Sequence, residues 1–152
     1  MNKWQKNFLR DLDQLKSQWQ HRFETVAENW LTPVFEEFEA FAARNGFLVT
    51  CPHSGGGARA FKFALEENAY VLCCFQQVGV GQIEARAEVF VPGQGNLEPF
   101  CEQANLGEVN ESWFRRRFEE ALDRFVSSFA QAGTKSGVDE FCESPVTVTA
   151  PA

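Results

Sequence analysis

Residues 58–91 read ARAFKFALEENAYVLCCFQQVGVGQIEARAEVFV, and their periodicity decides the fold class. In 58–66 the bulky apolar residues Phe61, Phe63 and Leu65 fall at every second position. In 82–91 Ile83, Ala85, Ala87, Val89 and Val91 alternate with Glu84, Arg86, Glu88 and Phe90. Successive side chains of a strand point to opposite faces, so this spacing puts one set on a core and leaves the other to water. Residues 69–78 are largely apolar, as a central strand requires. Glu67-Asn68 and Gly79-Val80-Gly81 supply the tight turns between these runs. With 47–51 as a further short strand, followed by a flexible loop at 52–57, the expectation is a four-stranded antiparallel meander across 47–91.

Toward the N-terminus the period changes. Trp4, Phe8, Leu12, Leu15, Trp19, Phe23, Val26 and Trp30 follow one another at steps of three and four. The pattern repeats every eleven residues, close to the natural helical period, so the stripe stays on one face of a nearly straight helix. A long amphipathic helix is expected over residues 1–30, about 43 Å long. That exceeds the roughly 30–35 Å expected of a compact domain this size, so part of the stripe is expected to find its cover on another molecule. Thr32-Pro33 reads as a break and restart, Thr being a good N-cap and Pro suiting the first helical position. A second helix is expected over 33–45, ended by Asn45-Gly46.

Toward the C-terminus, Pro92-Gly93-Gln94-Gly95 reads as a loop and 97–104 as a short helix. Asn110 is the expected cap of a final helix that carries Phe114, Phe118, Leu122, Phe125, Val126 and Phe129 and is closed by Gly133. Two helices thus fill 96–132. Residues 134–152 read as a tail or docked extension, with Val146-Thr147-Val148 its only strand-like piece. The sum is one α+β domain over 1–133, its sheet packed by N-terminal and C-terminal helices.

Composition agrees with a self-sufficient core. The chain has 152 residues, 44% of them hydrophobic, with 16 Phe and 4 Trp, enough to fold without metal or disulfide staples. A net charge of −7 repels phosphate backbones, so direct nucleic-acid binding is not expected. Five cysteines, Cys73 and Cys74 adjacent, fit no common disulfide framework. Residues 1–10 lack an apolar signal core, and no run approaches the ~20 apolar residues of a membrane span. These features point to reduced thiols in a cytoplasmic protein without a membrane partner.

Few residues suggest chemistry. Cys51 and His53 flank Pro52 beside Gly55-Gly56-Gly57, and Arg59 follows; together they form the candidate ligand site. As a thiolate–imidazole pair they lack an orienting third residue. With two His and no C-x-x-C pair, no metal site is expected. The triple glycine leads into a strand rather than a helix N-terminus, so it is not a phosphate cradle. Arg115-Arg116-Arg117 are expected to pair within their helix with Glu111, Glu119 and Glu120.

Charge is unevenly placed. Residues 1–22 hold five bases against two acids, net +3, while 23–43 hold five glutamates and no base, net −5. Two long helices pairing antiparallel would match these signs. The functional expectation is a non-catalytic interaction protein, an acidic adaptor, chaperone-like or regulatory factor that uses no cofactor and binds another protein or itself. Its contact residues would be Trp4, Phe8, Trp19, Phe23 and Trp30, with Arg115 and Arg116. The alternative is a small-molecule-binding domain or enzyme using loop 52–58 and the sheet face. A further alternative is an acidic inhibitor filling a partner's nucleic-acid groove.

Overall fold

The structure is a computed structural model that describes residues 1–94 and 97–140, with side chains to residue 131. Five strands form one antiparallel sheet in sequence order: β1 Leu48–Gly55, β2 Ala58–Glu66, β3 Ala69–Val78, β4 Gln82–Phe90 and β5 Phe100–Asn105. The α+β class holds, with helices at both ends of the chain, but the sheet has one strand more than the local pattern implies.

That strand replaces the expected helix at 97–104. Phe100 pairs with Ala87 and Asn105 with Gln82, so Phe100, Glu102 and Ala104 share the face that carries Ile83, Ala85 and Ala87. A glutamate on the core-facing side erases the period-two signal. Glu102 stands there because Arg117 lies across from it, with 3.1 Å between Oε1 and Nη1.

The first strand is also longer than expected. It continues through Pro52 to Gly55, with an irregularity between Thr50 and His53. Proline removes a ladder donor, so it is tolerated here because β1 is an edge strand and bulges at that point. Gly55, Gly56 and Gly57 all take positive φ and form the hairpin turn rather than a long loop.

The N-terminal helices are α1, Lys3–Val26, and α2, Thr32–Arg44. Thr32-Pro33 does not interrupt them. A π turn, Ala27–Leu31, joins the two, Leu31 and Thr32 keep right-handed helical dihedrals, and the Thr32 N–H bonds the Ala27 carbonyl. The wide turn accommodates the missing proline donor without a cap. The result is a single helical run of about 60 Å. Within one chain the oppositely charged segments therefore lie end to end rather than side by side. The run ends where the sequence indicates: Gly46 has φ 92° and the Phe47 N–H bonds the Ala42 carbonyl.

Asn110 caps α3, Glu111–Glu140, its Oδ1 accepting from the Trp113 N–H at 3.0 Å. Gly133 does not close this helix, which carries on through the start of the expected tail. Residues 141–152, with the strand-like 146–148, lie outside the described residues.

One face of the sheet is covered by the second half of α1, by α2 and by α3. Phe118 sits at the centre, its ring 5.3 Å from Phe38 and Phe75, 5.8 Å from Phe61 and 6.0 Å from Phe63. Edge-to-face and tilted pairs at these separations add to the apolar burial. Among the described residues no helix covers the opposite face, which presents Lys62, Tyr70, Cys74, Arg86 and Phe90.

Candidate functional site: an uncovered helical arm

The apolar stripe of α1 divides at Trp19. From there onward it joins the core. Phe23 is fully buried, Ala27 and Leu31 follow it inside, and the Trp19 ring closes over Gly81 in the β3–β4 turn. Before Trp19 the same stripe is largely exposed. Trp4 is 69% exposed, Phe8 51% and Leu15 40%. Among the described residues no hydrogen bond, ion pair or ring contact links residues 1–18 to another element.

This arm is nonetheless well formed. Asn2 caps it reciprocally: its Oδ1 accepts from the Gln5 N–H at 2.8 Å, and its own N–H donates to Gln5 Oε1 at 3.0 Å. Such a capping box offsets the unpaired donors of a first turn. Trp4 and Phe8 stack with ring centroids 5.4 Å apart. Further along the run, Trp30 and Phe41 are also exposed, at 42% and 55%.

Arg115 is an intramolecular clasp rather than a free cation. Its Nη2 donates to Glu37 of α2 at 2.8 Å and to Glu111 at 3.3 Å, and these carboxylates raise its pKa. Arg116 is exposed and has no partner among the described residues. Arg117, the third of the triplet, is buried beneath the Trp113 ring, 5.2 Å from its centroid. It lies within 3.1 Å of Glu102 and 3.4 Å of Glu120, yet its Nε and Nη1 protons find no aligned acceptor. Its position, between Phe114 and Phe118 on the stripe of α3, is the signal that marks it as inward.

The candidate ligand site at Cys51, His53 and Arg59 does not come together as a set, although Cys51 lies close enough to act on Arg59 electrostatically. His53 pairs with Ala60 and projects from the uncovered face, whereas Arg59 lies on the helix-covered face. Arg59 binds Glu24 of α1 with both terminal nitrogens and lies over the Phe23 ring. Glu24 also accepts from the Gly57 N–H at 3.3 Å. The guanidinium hydrogen bond holds the Glu24 carboxyl below its ordinary pKa and raises that of Arg59. The Cys51 thiol donates to the His53 carbonyl, and the His53 ring meets the Gly55 carbonyl at 3.0 Å. Thiol and imidazole are thus engaged separately.

Burial pushes the Cys73 thiol far up and raises that of Cys74, so neither is a nucleophile near neutral pH. Among the described residues no three His, Cys, Asp or Glu side chains converge as a metal site requires, and no helix is long and apolar enough to cross a membrane. An open cleft on the uncovered sheet face is lined by Tyr70, Arg86, Glu88, Phe90 and Leu97. Its cation is already paired, Arg86 Nε donating to Glu88 at 2.8 Å.

No protein family, characterised protein or solved structure matches this chain. The functional reading therefore rests on its own geometry.

Proposed function

We propose that this protein is a non-catalytic interaction module that docks through the arm formed by residues 1–18, with the α+β body as its platform. The observation that carries the reading is the abrupt loss of cover along one continuous stripe. Phe23 is fully buried while Trp4, about five helical turns away on the same stripe, is mostly exposed. A run of aromatics on a preformed helix suits recognition: large side chains dominate interface energetics, and a capped helix has already lost the entropy of ordering. An apolar helix face is a common docking element for a groove or a facing helix. Adaptor, chaperone-like and regulatory roles all use such an element.

The test is a comparative pull-down from the source cells, using the tagged protein and its Trp4→Ala/Phe8→Ala variant. At dilutions where neither self-associates, both should show the same melting temperature, because the two side chains contribute little to the body. The expected result is a stoichiometric partner that the variant loses. Identical partners on both proteins would sink the reading.

A further inference from the structure

We infer that the arm's occupant is the α2 surface of a second copy of this chain, the two helical runs lying antiparallel. The inference rests on the arm reading above and names its partner.

Charge favours it. Residues 1–22 carry net +3 and residues 23–43 net −5. In one chain these segments are consecutive along the same run and cannot meet. In an antiparallel pair of runs each basic arm lies along the partner's acidic segment, and the like-charged arms are kept apart. Glu28 and Glu36 are exposed, whereas Glu24 and Glu37 are already held by Arg59 and Arg115 of their own chain.

Spacing favours it too. The exposed apolar residues of the arm include Trp4 and Leu15, eleven apart; those of the acidic segment are Trp30 and Phe41, also eleven apart. Eleven residues return a helix to nearly the same face. One antiparallel register therefore sets Trp4 opposite Phe41 and Leu15 opposite Trp30. Area is adequate as well. The exposed parts of Trp4, Phe8, Trp30 and Phe41 amount to roughly 400 Å² at ordinary aromatic areas. That is about half of the ~800 Å² per partner of a standard interface, before the leucines and flanking stems are counted.

The experiment uses the full chain. Light scattering after size exclusion should give twice the 17.2 kDa chain mass. Zero-length carbodiimide coupling of a mixture of ¹⁵N-labelled and unlabelled protein should then join lysines of residues 1–22 to glutamates of residues 23–43 in peptides of mixed isotope, which form only between copies. Trp30→Ala/Phe41→Ala and Trp4→Ala/Phe8→Ala should each weaken dimerisation at least ~10-fold. A monomer at every concentration overturns the inference. If that monomer still captures a different protein, or floats with phosphatidylserine vesicles, and Trp4→Ala/Phe8→Ala abolishes it, the arm reading stands without the second copy. A dimer indifferent to both double variants overturns the inference and the arm reading together.

Discussion

Trp19 lies close against Gly81: a methyl group at that glycine would stand 3.2 Å from Cη2 of the indole. The contact marks where α1 leaves the body: Phe23, Ala27 and Leu31 beyond it are buried, while Trp4, Phe8 and Leu15 before it are exposed. Gly81 also has φ 79°, where an L side chain is strained. Gly81→Ala should cost about 2 kcal/mol, from backbone strain plus displacement of the ring. Gly79→Ala, at φ 61° with open space around it, should cost only about 1 kcal/mol. Urea denaturation of the two variants separates the terms, and equal losses would mean that Trp19 does not anchor the arm at Gly81.

Position along the stripe should set the cost of truncation. Phe23→Ala removes a fully buried ring and should destabilise by about 3–5 kcal/mol. Trp4→Ala and Phe8→Ala should stay within about 0.5 kcal/mol, as exposed substitutions do. These values apply to protein diluted until it is monomeric; chemical denaturation there is the measurement.

The Glu24–Arg59 pair ties α1 to β2 and should leave a signature in acid. The folded pKa of Glu24 lies below its unfolded value. Its contribution is therefore fully present above the unfolded value of about 4.3 and is lost as pH falls through the lower folded value. Glu24→Gln leaves the mostly buried Arg59 without its counter-charge and should cost about 2 kcal/mol at pH 7. Stability curves of the two proteins should converge at low pH; a constant gap down to pH 2 would refute the assignment.

Arg117 is a buried cation with protons that lack aligned acceptors. Replacing such a group with an apolar side chain of similar length is often neutral or better, whereas truncation leaves a hole. Arg117→Met should remain within about 1 kcal/mol of the native protein, and Arg117→Ala should lose about 2–3 kcal/mol. Thermal denaturation decides between this pattern and one in which both variants fail equally.

The thiols should react in the order of their exposure. Cys51 and Cys101 are exposed and Cys73 is buried. Brief iodoacetamide treatment with peptide mapping should alkylate Cys51 and Cys101 while leaving Cys73 intact until denaturant is added. Rapid labelling of Cys73 would contradict the packing of β3 against α3.

Much of the fold was legible locally. The stripe from Trp4 to Trp30, the alternation from Ile83 to Val91, the Asn110 cap and the Asn45-Gly46 stop depend on residues within about four positions of one another. Each specifies its element by period or by a backbone preference. The failures share a cause as well. Pro33 looked like a break because proline preferences are local, yet a π turn absorbed the missing donor. Strand β5 was hidden because Glu102 occupies an inward position whose reason, Arg117, is fifteen residues away on another element.

The sequence by itself determined that this chain builds one meander and helices with long apolar stripes, because periodicity is a property of neighbouring residues. Only the tertiary structure decided which part of each stripe is covered. Trp4 and Phe23 carry the same signal in the sequence, and they differ because the sheet ends at the Gly79–Gly81 turn. Arg59 read as part of a ligand site and Arg115 as a partner within its own helix, until folding set Glu24 and Glu37 beside them. Cover and charge pairing are long-range: they are fixed by what another element brings alongside, and no local pattern encodes that.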